Sequence, residues 1–114
     1  DLQGEAKKLG RPWCIGKAYD HSAPIGPITT AAKAGDIANA AIWVQVNGSD
    51  RQRSNVSKLI WNIAETIEHL AAAWELQAGD LIYTGTPEGV AAVVSGDTMT
   101  GGVDGLSGIT VRVA

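Results

Sequence analysis

One lysine stands apart by its surroundings. In Gly10–Pro27, GRPWCIGKAYDHSAPIGP, Lys17 is flanked by Ile15, Gly16, Ala18 and Tyr19, and Pro24 and Pro27 stiffen the chain that follows. If Cys14 to Tyr19 is extended, the alternation of side chains puts Lys17 on the face of Ile15 and Tyr19. The expectation is therefore a short strand carrying a partly buried lysine. An ammonium taken from water needs an anion or several acceptors to offset its lost hydration. Such a lysine pairs with an acid, meets an anionic ligand, or lays its stem over apolar surface and keeps its head wet.

A second stretch, Leu81 to Val90 (LIYTGTPEGV), ends a strand-like run on Thr84 and passes straight into Gly85, Thr86, Pro87 and Gly89. Glycines let backbone amides converge, and two hydroxyls add donors, which suits a carboxylate or an oxyanion. A plain strand-to-loop turn has the same composition. No Gly-Lys-Ser/Thr follows, so it is not a nucleotide loop.

Other constellations fall away. His21 and His69 are the only histidines, and they make no recognised zinc spacing with Cys14, the only cysteine. Asp20, His21 and Ser22 are sequence neighbours, and a catalytic triad is defined by geometry, not adjacency. Asp50, Glu88 and Asp97 are most simply solvated loop acids, and nothing near Cys14 marks it as a nucleophile.

The whole chain bounds these possibilities. Its 114 residues make one unit at most. A net charge of -3 and scattered Lys and Arg leave no stripe for a phosphate backbone, which argues against nucleic acid. One cysteine excludes an internal disulfide and fits a reducing, cytoplasmic setting. No apolar run is long enough to cross a bilayer as a helix. The first residue is Asp1, not Met, which leads us to expect further residues upstream.

Those site residues must be held by the elements around them. Asp1 to Leu9 has good helix formers and stops at Gly10-Arg-Pro12. His21 to Pro27 is irregular, and Thr29 to Asn39 is a surface connection. Ala41 to Val46 (AIWVQV) is the clearest strand, and Asn47-Gly48 turns it back as a hairpin into Asp50 to Arg53. From Ser57 to Trp74, Ile60, Ile63, Ile67, Leu70 and Trp74 recur at helical spacing, which predicts an amphipathic helix packed on the sheet. Gly79-Asp80 and Gly96-Asp97 read as turns, their aspartates bonding backbone amides, ahead of strands at Leu81 to Thr84 and Thr98 to Val103. Ile109 to Val113 closes the sheet. The sum is a strand-rich α+β domain with one principal helix.

Taken together, DLQ at Asp1 to Gln3, GRPWCIGKAYDHSAPIGP, VNGSDRQ at Val46 to Gln52 and GDLIYTGTPEGV resemble, in order, the fumarylacetoacetate hydrolase family, most closely its fumarylpyruvate hydrolase and acylpyruvase branch. The resemblance runs over essentially the whole chain. It implies the family's mixed β-sandwich roll, of which residues 1–114 look like the C-terminal half of the catalytic domain. It also implies hydrolysis of a carbon-carbon bond in a 2,4-dioxo acid with Mg²⁺ or Mn²⁺, in aromatic-compound catabolism, by a homodimer. On this resemblance Lys17 matches the family's active-site lysine, Gln3 its substrate-contacting glutamine, and Thr84 with Gly85 the turn that holds the substrate carboxylate.

The departures are specific. The family's Glu-x-Glu pair, its metal-binding aspartate, its arginine and its water-activating His/Glu pair all match positions before Asp1, so no metal ligand is assigned in this chain, Asp1 included. Ala91 and Ala92 stand where a glycine is usual. Two alternatives remain open: decarboxylation or isomerisation of a related oxo acid, and a noncatalytic domain that acts only by association.

Overall fold

The sheet grows from the turn at Asn47-Gly48. Both residues take positive φ, 51° and 80°, the left-handed pair that lets a two-residue hairpin follow the right-handed twist of its strands. In this computed structural model, which describes residues 2–114, β1 (Ala41–Val46) reverses there into β2 (Ser49–Asn55). The pairing slips by one residue between Val44 and Gln45. On the other side of β1 runs β3 (Thr98–Val103), followed by β4 (Ile109–Arg112). The order is β2-β1-β3-β4, antiparallel throughout. A Cβ at Gly101 would lie 2.8 Å from Val44 Cγ2, so the absence of a side chain there is what lets Val44 cross it.

Among the described residues three helices accompany the sheet, α1 (Leu2–Lys8), α2 (Ala31–Ala34) and α3 (Ile63–Ala71), with 3₁₀ turns at Cys14–Gly16 and Val56–Lys58. The α+β expectation holds, as do the hairpin, β1 and β3 at their expected bounds. Both Gly-Asp turns are built as expected. Asp80 accepts from the Gln77 amide at 2.8 Å and Asp97 from the Val94 amide at 3.0 Å. The Val94 amide, and next the Asn47 side chain, hold the Asp97 carboxyl below its ordinary range.

Four expectations are corrected. Cys14 to Tyr19 is not a strand. Lys17 and Ala18 both donate to the Cys14 carbonyl, at 3.0 and 2.7 Å, curling the run into a turn with no partner strand. Leu81 to Thr84 makes no ladder and lies outside the sheet. The long helix begins at Ile63, six residues later than its apolar period suggests, because Asn62 and Glu65 close a reciprocal capping box there. Its stripe does not pack on the sheet: Ile60 is 97% exposed, and Ile63 and Ile67 are each 43% exposed. The connection at Thr29 to Asn39 contains the short α2.

Little core is enclosed. Ala6 and Val46 are the buried apolar side chains among the described residues. The accessible surface is 8895 Å², against about 5,900 Å² for a compact monomer of this mass. The radius of gyration is 15.5 Å, against about 13 Å for a compact chain of this length. The described residues form a framework whose apolar faces look outward.

Candidate active site

Gly16 is where the lysine segment meets α1. A Cβ at that glycine would fall 2.7 Å from the Gln3 amide nitrogen and 2.8 Å from its Cα, so the turn closes onto the helix backbone only because no side chain intervenes. Gln3, half-buried, and Lys17, the next residue after Gly16, are thereby held in one neighbourhood. Lys17 itself is exposed, contrary to the expected partial burial. The reason is the turn: in a 3₁₀ curl the side chains no longer alternate, and Ile15 and Tyr19, 68% and 58% exposed, build no apolar face over the lysine. Its ammonium is available to a ligand without first being withdrawn from water.

Thr84 and Gly85 lie in the irregular chain between Asp80 and Val94, both exposed, with Gly85 at φ 100°. Two ties bring this chain to the rest. The Tyr83 hydroxyl donates to the Ala23 carbonyl at 3.1 Å, joining the threonine segment to the loop that follows Lys17. Between these segments opens a cleft of about 300 Å³, lined by Pro24, Ile25, Pro27, Leu81 and Tyr83, with Ile109 at its side. None of Gln3, Lys17, Thr84 and Gly85 lines this cleft.

The second tie is Gln52, on β2. Its amide nitrogen lies 2.9 Å from Thr86 Oγ1, 2.6 Å from the Pro87 carbonyl and 3.2 Å from the Glu88 carbonyl. Gly89, at φ 96°, comes so near β2 that a Cβ would stand 2.6 Å from the Arg51 carbonyl. Neither Gln52 nor Tyr83 is singled out by the sequence as a site residue. Gln52 falls within the VNGSDRQ segment, which was the available signal.

The structure thus joins Gln3 to the lysine segment and Tyr83-Thr84 to the loop after it. Asp50 is occupied elsewhere, its carboxyl held below the ordinary range by the Arg53 side chain 3.0 Å away and by Gln45. Among the described residues no three His, Cys, Asp or Glu side chains converge. Asp1 lies outside the described residues. No helix among them is long and apolar enough to cross a membrane.

The profile described as fumarylacetoacetate (FAA) hydrolase C-terminal matches residues 1–114. A fumarylpyruvate hydrolase of Ralstonia sp is 46% identical over 113 residues, 99% of this chain and 58% of that protein. An oxaloacetate tautomerase of Escherichia coli K12 is 40% identical over 114 residues, 99% of this chain and 52% of that protein. Among solved structures, a fumarylpyruvate hydrolase from Pseudomonas aeruginosa in complex with Mn²⁺ and pyruvate superposes with a TM-score of 0.92 at 54% identity, covering 99% of this chain and 48% of that one. The chain spans about half the length of the curated relatives it matches.

Proposed function

The chain belongs to the fumarylacetoacetate hydrolase family, and from that premise we propose that it supplies the lysine and the carboxylate-holding turn of an acylpyruvate hydrolase. The substrate is a 2,4-dioxo acid such as fumarylpyruvate. Water cleaves it to a carboxylic acid and pyruvate, with negative charge developing on the oxo oxygen of the pyruvate half. The observation that carries this is the likeness, at 54% identity, to an enzyme that holds Mn²⁺ and pyruvate.

In this reading the Lys17 Nζ donates to the oxygen on which charge develops, where a fixed cation favours the transition state over the ground state. Thr84 Oγ1 and the Gly85 amide donate to the substrate carboxylate. The Gln3 side chain contacts the substrate beside Lys17, supported by the closeness of Gly16 to the Gln3 backbone. A divalent ion, Mg²⁺ or Mn²⁺, is required by the complete site, with ligands from outside this chain. A cytoplasmic homodimer completes the proposal, and the outward apolar faces support association.

A second reading, oxaloacetate tautomerisation, is favoured by the Escherichia coli relative. Both reactions develop charge on an oxo oxygen, so the same lysine serves either. The test is steady-state turnover of the full protein carrying this chain, with Mn²⁺, on fumarylpyruvate, acetylpyruvate and oxaloacetate. The proposal expects the larger kcat/KM on an acylpyruvate, and a preference for oxaloacetate selects the second reading. Lys17→Ala should lower kcat by about 10²-fold or more with unchanged circular dichroism, since the side chain is exposed. Near-normal turnover in that variant removes the lysine from the mechanism.

A further inference from the structure

The turn that carries Thr84 and Gly85 has almost nothing of its own to hold it. Residues 81–93 belong to no helix or strand, and no backbone-to-backbone hydrogen bond among the described residues involves them. Gly85 and Gly89 both sit at positive φ, where the chain has more freedom than at other residues. A pair of donors meant for a carboxylate must nevertheless be held to a fraction of an ångström.

Gln52 provides that constraint. The Pro87 and Glu88 carbonyls only accept hydrogen bonds, so the side-chain amide must turn its nitrogen toward them. Its two hydrogens serve three acceptors, one of them shared with Thr86 Oγ1. The glutamine is half-buried on β2 and paired with Val44 across the ladder, so its own backbone is fixed by the sheet. We infer that Gln52 is a positioning residue for the substrate carboxylate, acting through the Thr86-Pro87-Glu88 backbone on Thr84 and Gly85. This rests on the assignment of the carboxylate to Thr84 made above.

If the turn binds the carboxylate alike in ground and transition states, loosening it raises KM and spares kcat. Gln52→Met keeps the length of the side chain and removes the donors. Gln52→Glu keeps the shape and sets an acceptor against two carbonyls. The experiment is steady-state kinetics of the full protein carrying this chain, on fumarylpyruvate, with pyruvate as competitive inhibitor. Gln52→Met should raise KM about tenfold, weaken pyruvate inhibition by the same factor and leave kcat within about twofold; Gln52→Glu should act more strongly. Because the glutamine works through the threonine's turn, the double variant Gln52→Met/Thr84→Ala should raise KM by clearly less than the product of the two single-variant factors. An unchanged KM in Gln52→Met, or factors that multiply in the double variant, overturns the inference while leaving the assignment of Thr84 intact. Unchanged KM and unchanged pyruvate inhibition in Thr84→Ala overturn that assignment and the inference with it. Should the Gln52 variants not fold, Thr86→Val removes one of the three contacts; it must then raise KM by about two- to threefold, and no rise overturns the inference.

Discussion

The Tyr83 hydroxyl donates to the Ala23 carbonyl at 3.1 Å across sixty residues of sequence. This bond links the segment that ends in Thr84 to the loop that follows Lys17, and the apolar cleft opens between the two.

Tyr83→Phe deletes that bond and nothing else. Tyr83 is 58% exposed, so the expected loss of stability is at most about 1 kcal/mol. Urea unfolding measures it. No measurable loss would mean that the ring, which the variant keeps, does the holding and the hydroxyl does not.

Gly16→Ala and Gly4→Ala make an instructive pair. At Gly16 the new methyl meets the Gln3 backbone at 2.7 to 2.9 Å, and backbone cannot step aside. The expected cost is about 1–3 kcal/mol, with a fall in turnover as Lys17 and Gln3 separate. At Gly4, inside α1, nothing lies within 4 Å, and alanine should stabilise by about 0.5–1 kcal/mol. Equal effects at the two positions, read by thermal unfolding, would contradict the close approach at Gly16.

Asn62→Ala opens the capping box of α3, in which Asn62 accepts from the Glu65 amide at 2.9 Å and Glu65 accepts from the Asn62 amide at 2.8 Å. The expected cost is about 1 kcal/mol, accompanied by reduced helical circular dichroism and unaltered turnover. Unchanged helicity would show that the helix does not depend on this cap.

Stability should fall in acid partly through Asp97. Its folded pKa lies below the ordinary 3.8, chiefly because the carboxylate accepts from the Val94 amide and the Asn47 side chain. The contribution is therefore full above 3.8 and is lost as pH drops through the lower, folded value. Unfolding of the parent and Asp97→Ala compared at pH 7 and pH 3 measures it. The variant should be the less stable at pH 7, and the difference should narrow at pH 3. A difference that stays constant with pH would remove the charge from the account.

Where a local rule governed, the sequence was legible. Asn47-Gly48 dictates its own backbone, and Ala41 to Val46 and Thr98 to Val103 form the strands their residue types imply. Where a local signal competed with a pattern, the pattern misled. Ile60 extends the apolar period backward from α3, yet Asn62-x-x-Glu65 is the true start, and Ile60 stands almost wholly in solvent. The setting of Lys17 was misjudged, because six residues, CIGKAY, do not distinguish a strand from a tight curl. The contacts of Gln52 were hidden for another reason: its partners lie 34 to 36 positions downstream, and only the folded chain brings them together.

β2 is the outermost strand of its sheet, and Gly89 rests against the Arg51 carbonyl on it. The turn that carries Thr84 and Gly85 is therefore braced on that strand by an approach that only a residue without a side chain can make. Any side chain at position 89 would push the two apart, so the seating of the turn and the packing of the outer strand are set together by a single glycine.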